Sequence, residues 1–202
     1  MPQYKVLYFD GKGRAELMRL VLATKEVKYE DIRFGEKLPF AEMKPKLPFG
    51  MAPVLEVDGK KHGSSQACVR YLAKKLDLHG STDEECFKVD MITECITEDV
   101  CFLLMQSMMT KIDEQRNNVY AQIDRKFPGI FTGLNNMVDG PYFLGDKLTV
   151  ADLALYQYSE DLRKAEKYKA LSDYPNLLKI CENVSEVPSV KSYIASRKPT
   201  PF

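Results

Sequence analysis

The pattern of apolar and polar positions changes once along the chain, from short mixed segments to long helical ones. Tyr4–Phe9 is a run of aromatic and branched residues that predicts a first strand. Residues 10–13, with two glycines, predict a flexible turn. Arg14 to Ala23 then reads as a helix: Leu17, Met18, Val21 and Leu22 recur at helical spacing, while Glu16 and Arg19 mark a wet side. Lys28 to Phe34 predicts a second strand, and 35–46 is polar and irregular, with Phe40 and Met43 as its apolar points. Val54–Val57 is a third strand, and Asp58-Gly59 supplies the positive-φ positions of a two-residue hairpin turn. Gly63-Ser64-Ser65 ends the returning strand and offers a hydroxyl N-cap to a helix that reaches about Leu76. The order β-α-β, hairpin, α predicts a small mixed sheet with helices against it.

Beyond this point the period is helical throughout. The polar connector 77–82 is the expected boundary between a domain over 1–76 and a helical domain over 83–202. Thr82 with Glu85 matches a capping box, hydroxyl to acid three residues on. Cys86 to Met109 predicts a long amphipathic helix, and Val119 to Met137 another, with a kink or break expected at Pro128-Gly129. Residues 140–147 read as a loop. Thr149 and Asp152 form a second capping box ahead of the apolar run Leu153–Tyr158. Pro175 and Pro188 fall near the first turns of two short final helices.

Composition narrows the classes of function. The chain has 202 residues, and 29 Lys plus Arg balance 29 Asp plus Glu. Such a balance gives no support to nucleic acid or an anionic membrane as main partner. No apolar run is long enough to span a bilayer, and the first residues do not resemble a signal peptide. Five cysteines, an odd number with no Cys-x-x-Cys pair, fit free thiols in a reducing cytosol better than disulfides or zinc. His62 and His79 both lie in polar, turn-like sequence, so neither a histidine-based metal site nor a Ser-His triad is expected.

Several residues could carry chemistry, each with a plainer reading beside it. Tyr8 closes the first strand and Arg14 opens the first helix, the place where open α/β sheets bind ligands. A phenol there can donate to an anion; otherwise Tyr8 is a packed strand tyrosine and Arg14 a surface charge. Met51-Ala52-Pro53 ends a loop before a strand, and a cis Ala52-Pro53 bond would expose backbone groups to a ligand. Ser64 and Ser65 sit at a helix N-terminus that favours an anion, or they are ordinary caps. Asp90, Glu94 and Glu98 recur four apart with Asp99 alongside, so they repel unless a cation meets them or water solvates them. Cys95 and Cys101 lie in an apolar helix and read as core.

Together these pieces resemble the cytosolic glutathione transferase family, most closely its sigma class. The resemblance rests on Met1–Phe9, Gly13–Leu17, Leu47–Gly59, Arg70–Ala73, Phe143–Asp146 and Leu148–Leu153, and covers nearly the whole chain. It implies a thioredoxin-like α/β N-terminal domain, an all-α C-terminal domain, a cytoplasmic homodimer and a role in detoxification. It implies that Tyr8 is catalytic, its hydroxyl holding the glutathione sulfur as thiolate for attack on a hydrophobic electrophile, with no metal required. Residue by residue it places the cysteine backbone of glutathione on Met51 and Ala52 against Pro53, and the γ-glutamyl carboxylate on Ser64 and Ser65. It places the glycine end at Phe40 and Lys44, Arg14 beside the thiolate, and Glu98 of a second copy near the γ-glutamyl amine. The electrophile pocket would draw on Phe9, Gly13, Met105, Tyr158 and Phe202.

Two positions depart from the class pattern. Ser64-Ser65 stands where Gln-Ser is usual, and Phe40 stands where Trp is usual; the chain has no Trp. Phe keeps an apolar wall but lacks the indole donor. Both changes imply a raised KM for glutathione with the sulfur chemistry intact. Two rival readings remain: a glutathione-dependent prostaglandin D-type isomerase, and a weakly active carrier resembling lens crystallins. A dithiol oxidoreductase is set aside, because no cysteine follows the first strand.

Overall fold

Strand β1 (Tyr4–Phe9) is the centre of a four-stranded sheet. It pairs in parallel with β2 (Tyr29–Phe34) and antiparallel with β3 (Val54–Val57), and β4 (Lys60–His62) closes the far edge, giving the order β2-β1-β3-β4. Val6 and Leu7 of β1 and Val54 and Leu55 of β3 are almost wholly buried, as central strands covered on both faces require. The computed structural model describes residues 2–164 and 169–200. The chain divides into two units: one runs to Leu78 and takes in the stretch from Glu186 onward, and the other is His79–Ser185. The sequence-based division places everything from residue 83 in one domain. The last helix instead belongs with the first unit, through hydrogen bonds across more than 160 residues of sequence.

In the first unit, a 3-10 turn (Gly13–Ala15) leads into α1 (Glu16–Thr24). The sequence marks Glu16 and Arg19 as a wet face, and the structure overturns this: both are fully buried. Arg19 donates to the Gly11 carbonyl at 2.7 Å, to Glu16 at 3.2 Å and to Asp31 of β2 at 3.1 Å. Glu16 also accepts from Tyr193 at 3.0 Å and Arg197 at 2.9 Å. Tyr193 lies on the final helix, α8 (Pro188–Ser196), and Arg197 follows it; Ser189 of the same helix donates to the Thr24 carbonyl. Charged positions read as wet because burial without partners is prohibitive; here the partners come from β2 and from the far end of the chain. Helix α2 (Ser65–Lys75) buries Cys68, Val69, Leu72 and Ala73. The segment between β2 and β3 contains a one-turn helix at Phe40–Met43 and two 3-10 turns.

The second unit is helical. The Thr82–Glu85 capping box is fully formed at the start of α3 (Asp83–Glu94). A π turn (Cys95–Val100) then passes directly into α4 (Cys101–Met109). The π turn shifts the residue spacing, so Glu98 does not continue an even stripe from Asp90 and Glu94. Helix α5 (Asp113–Asn136) starts earlier than the periodicity implies and runs through Pro128 without a break. Of the kink or break expected at Pro128-Gly129, the break is overridden by packing: Val119, Ile123, Phe127, Phe131 and Leu134 form one buried seam, and the Phe127 and Phe131 rings meet edge-on at 5.3 Å. Next come α6 (Val150–Lys164) and α7 (Pro175–Glu186). Among the described residues, no helix is long and apolar enough to cross a membrane.

At the head of α6, Asp152 is fully buried, and its carboxylate accepts from the Phe143 N–H, the Thr149 N–H and the Thr149 hydroxyl at 2.8–2.9 Å. Burial raises its pKa from 3.8 to about 6 despite these donors. An acid whose folded-state pKa lies above its unfolded value loses stability as pH rises through that interval, because the fold must then hold an ionised group that water would solvate better. Relative to Asp152→Asn, the wild type is therefore expected to gain stability as pH falls from about 7 to about 5, by about 1.4 kcal/mol. Paired urea melts at the two pH values measure this; a constant difference between the proteins would refute it.

Candidate functional site

Topology gathers the predicted residues of the first unit at one end of the sheet. β1 runs toward that end and β3 starts there, since Leu7 pairs with Val54. One step beyond that pair stand Tyr8 and Pro53. β4 returns to the same end, pairing His62 with Leu55, so Ser64 and Ser65 emerge there too. Pro48 and Phe49 pack on Gly63, where a Cβ would meet the Phe49 ring at 3.0 Å, which ties the 47–53 loop to the head of α2.

Tyr8 is buried, 6% exposed, and its ring meets that of Phe9 edge-on at 5.4 Å. The backbone N–H of Arg14 donates to the Tyr8 hydroxyl oxygen at 3.4 Å. The contact to Tyr8 thus comes from the Arg14 main chain. Gly13 makes this approach possible: it sits at φ +38°, and a Cβ there would lie 2.6 Å from the Tyr8 oxygen. Sequence reading places Gly13 only in a substrate pocket, and its role as the seat of the Tyr8 hydroxyl is visible only in three dimensions.

The Ala52-Pro53 bond is cis, as the sequence allows. Pro53 is buried, Ala52 half-buried, and Met51 exposed. Ser65 is buried and opens α2, while Ser64 is exposed at φ 67°. The hydroxyl cap expected of Ser64 is not made: its backbone is far from ordinary N-cap geometry, and its side chain accepts nothing from the first turn. Phe40 packs at 4.9 Å from Phe9 and 5.4 Å from Phe34, while Lys44 is exposed with its stem near Gly50.

The remaining predicted residues divide between the units. Phe9 and Gly13 belong to the first; Glu98, exposed in the π turn, half-buried Met105 and buried Tyr158 belong to the second. Phe202 lies outside the described residues. Sequence reasoning missed the Glu16–Arg19 support beneath the 10–13 loop, for which no local signal exists. Among the described residues no group of three or more His, Cys, Asp or Glu side chains is placed to hold a metal ion.

A thioredoxin-like mixed sheet followed by a helical unit is the architecture of the glutathione transferase fold. Residues 14–79 match the glutathione S-transferase N-terminal domain, and residues 98–197 match the C-terminal domain of the same family. The chain is 36% identical over 196 residues to a glutathione S-transferase of Plasmodium yoelii yoelii, covering 93% of this chain and 91% of the relative. It is 32% identical to hematopoietic prostaglandin D synthase of Rattus norvegicus over 99% of both chains. A structure of rat hPGDS complexed with a quinoline superposes with a TM-score of 0.87 at 31% identity, covering 99% of this chain and 100% of that one. Monomeric Na-GST-3 from the hookworm Necator americanus gives a TM-score of 0.88 at 31% identity with the same coverage. This chain belongs to the glutathione S-transferase family.

The Gly13 seat makes a specific demand. Gly13→Ala is expected to displace the Tyr8 hydroxyl and lower the rate of glutathione conjugation on the order of a hundredfold, as a misplacement of about 1 Å can. Circular dichroism should remain that of a folded protein. Unaltered turnover in the Gly13→Ala protein would show that the hydroxyl position is unimportant.

Proposed function

We propose that this chain conjugates reduced glutathione to small hydrophobic electrophiles, with Tyr8 stabilising the glutathione thiolate, as a cytoplasmic, detoxifying sigma-class enzyme that works as a homodimer. The observation that carries the reading is the Tyr8 hydroxyl with the Arg14 N–H on its oxygen, at the sheet end where strand register also brings the cis Ala52-Pro53 bond. That N–H polarises the phenol and makes its O–H a stronger donor. A hydrogen bond to a charged group contributes roughly 1.5–3 kcal/mol. At about 1.36 kcal/mol per unit, this lowers a thiol pKa by roughly one to two units, enough to ionise a glutathione thiol substantially at neutral pH. The sulfur then attacks the electrophilic carbon, and the leaving group departs with the bonding pair.

Glutathione is the co-substrate, and no metal takes part. Its cysteine backbone lies along Met51 and Ala52 against Pro53, and its γ-glutamyl carboxylate faces the head of α2 at Ser64 and Ser65. Arg14 flanks the thiolate, and Phe40 and Lys44 receive the glycine end. Phe9 and Gly13 are the first unit's contribution to binding the electrophile. Five cysteines without a disulfide support a reducing compartment.

The decisive comparison is the rate of conjugation to an aryl halide for wild type and Tyr8→Phe. The variant is expected to lose at least tenfold in kcat while still binding glutathione, the size of effect that a bond of roughly 1.5 kcal/mol supplies. Ser64→Gln and Phe40→Trp should each lower KM for glutathione with little change in kcat. Wild-type protein that binds glutathione without turnover would favour a carrier role. Kinship with the rat prostaglandin D synthase supports a second reading, isomerisation of a prostaglandin endoperoxide. That reaction would consume no glutathione, which separates it from conjugation.

Support for the homodimer comes from apolar surface on each unit. Phe49 is 78% exposed beside a groove of about 640 Å³ that Lys60, Lys61, His62 and Tyr71 help to line. On α3, Phe87 and Met91 are exposed at helical spacing, with the acids Glu94 and Glu98 following. A basic apolar face and an acidic apolar face suit a two-fold pairing of copies that brings Glu98 of one to the site of the other. Light scattering is expected to give a dimer that Phe87→Ser shifts toward monomer. A monomeric wild type, as in the hookworm neighbour, would remove Glu98 from the site.

A further inference from the structure

The second unit contains a thiol, an imidazole and a carboxylate in line, apart from the glutathione site. His79, expected in an exposed turn, is 2% exposed. Its Nε2 lies 3.0 Å from Asp90 Oδ1, and its Nδ1 lies 3.3 Å from Cys86 Sγ. An ionised Asp90 can only accept, so Nε2 carries the hydrogen and Nδ1 is left as the acceptor facing the sulfur. This is a nucleophile within reach of a base that a third group orients. The Gly80 carbonyl, also 3.3 Å from Cys86 Sγ, can hold the resting thiol hydrogen, but only the imidazole can remove it. Gly80 makes the arrangement possible: a Cβ there would lie 2.3 Å from the Cys86 nitrogen, so only glycine lets the 79–80 turn press onto α3.

Two features distinguish Cys86 from the other thiols. Cys68, Cys101 and Cys181 are buried, whereas Cys86 is partly exposed and sits in the second turn of α3 beside the His79 imidazole. Cys95 is also partly exposed, but desolvation and the nearby Asp99 charge push its thiol up. A zinc site is a poor alternative, because Cys86 and Asp90 occupy opposite nitrogens of one ring and share no common centre.

We propose that Cys86, with His79 as base and Asp90 orienting it, is a capture site for neutral α,β-unsaturated carbonyl compounds. The Cys86 sulfur bonds to the β-carbon, and the C=C π pair moves toward the carbonyl as an enolate. The thiol proton, held by His79 as an imidazolium against Asp90, returns to the α-carbon. Nothing is lost, and no oxidant or second reactant enters. The reagent is neutral because Asp83, Glu84 and Glu85 fill the first turn of α3 and repel anions, although Glu85 is turned onto the Ser81 and Thr82 N–H groups and Lys147 reaches Ser81.

The test is site-resolved mass spectrometry of the full chain after brief exposure to limiting N-ethylmaleimide, without glutathione. Cys86 is expected to react at least tenfold faster than Cys95 in the same molecule, a threshold set below the roughly hundredfold that a positioned base typically contributes at the least. Asp90→Asn and His79→Gln should each remove most of that excess while leaving Cys95 unchanged; a merely packed histidine would not move the ratio. Neutral iodoacetamide should also outpace anionic iodoacetate at Cys86 by more than at Cys95. Equal wild-type rates at the two thiols, or a Cys86 rate indifferent to Asp90→Asn in folded protein, would overturn the proposal. The wild-type comparison decides even if a variant does not fold. A preference for iodoacetate at Cys86 would overturn the assigned class of reagent.

Discussion

The buried guanidinium of Arg19 is the interaction on which the first unit depends. It joins the loop after β1, through the Gly11 carbonyl, to α1 and to the edge strand β2. Through Glu16 it also gathers Tyr193 and Arg197 from the end of the chain. Each buried charge costs several kcal/mol in lost hydration, and the attraction between them offsets this only when hydrogen bonds fill the remaining valences. Burial, reinforced by the Glu16 charge, keeps the Tyr193 phenol protonated, and burial with Asp31 pushes Tyr29 up to about 12, so both remain donors. The network therefore contributes position more than stability: it fixes the 10–13 loop, and that loop carries the Gly13 seat of Tyr8.

The two capping acids of the helical unit show why a motif fixes geometry but not charge. Glu85 and Asp152 each stand three residues after a threonine and accept backbone N–H groups. Glu85 is at the surface, and its bonds from the Ser81 and Thr82 N–H groups hold it below the usual carboxylate range. Asp152 has comparable donors but is enclosed, and the lost hydration outweighs them. The same local pattern thus gives an anion that favours folding at neutral pH in one place and one that opposes it in the other.

Most of the sheet was legible because strands, turns and caps are local. β1, the hairpin at Asp58-Gly59 and the first capping box each follow from a few neighbouring residues, which also allow the cis bond before Pro53. What the sequence concealed depended on distant partners. Glu16 and Arg19 look like a wet face until Asp31, Tyr193 and Arg197 are brought to them. Pro128 looks like a helix stop until the Phe127–Phe131 seam is assembled around it. Ser64 has the right side chain for a cap, but its backbone is set by the turn out of β4. Within the candidate site, Tyr8, the cis proline and the head of α2 were visible from the sequence, whereas the close approach of Gly13 and the burial of His79 were not.

The departures at Ser64 and Phe40 bear on this division. Much of what the first unit offers a peptide-like ligand comes from main chain: the Arg14 N–H behind Tyr8, the cis turn at Pro53, and the opening turn of α2. These features depend on fold and register, and they survive exchange of a flanking side chain. In the proposed site Ser64 and Phe40 flank that scaffold, where a longer amide or an indole N–H would add contacts shared by ground state and transition state. Such uniform binding changes KM and leaves kcat alone. In the proposed mechanism Tyr8 differs because its hydroxyl would meet the charge on the glutathione sulfur, and its placement traces back through Gly13 and Gly11 to Arg19.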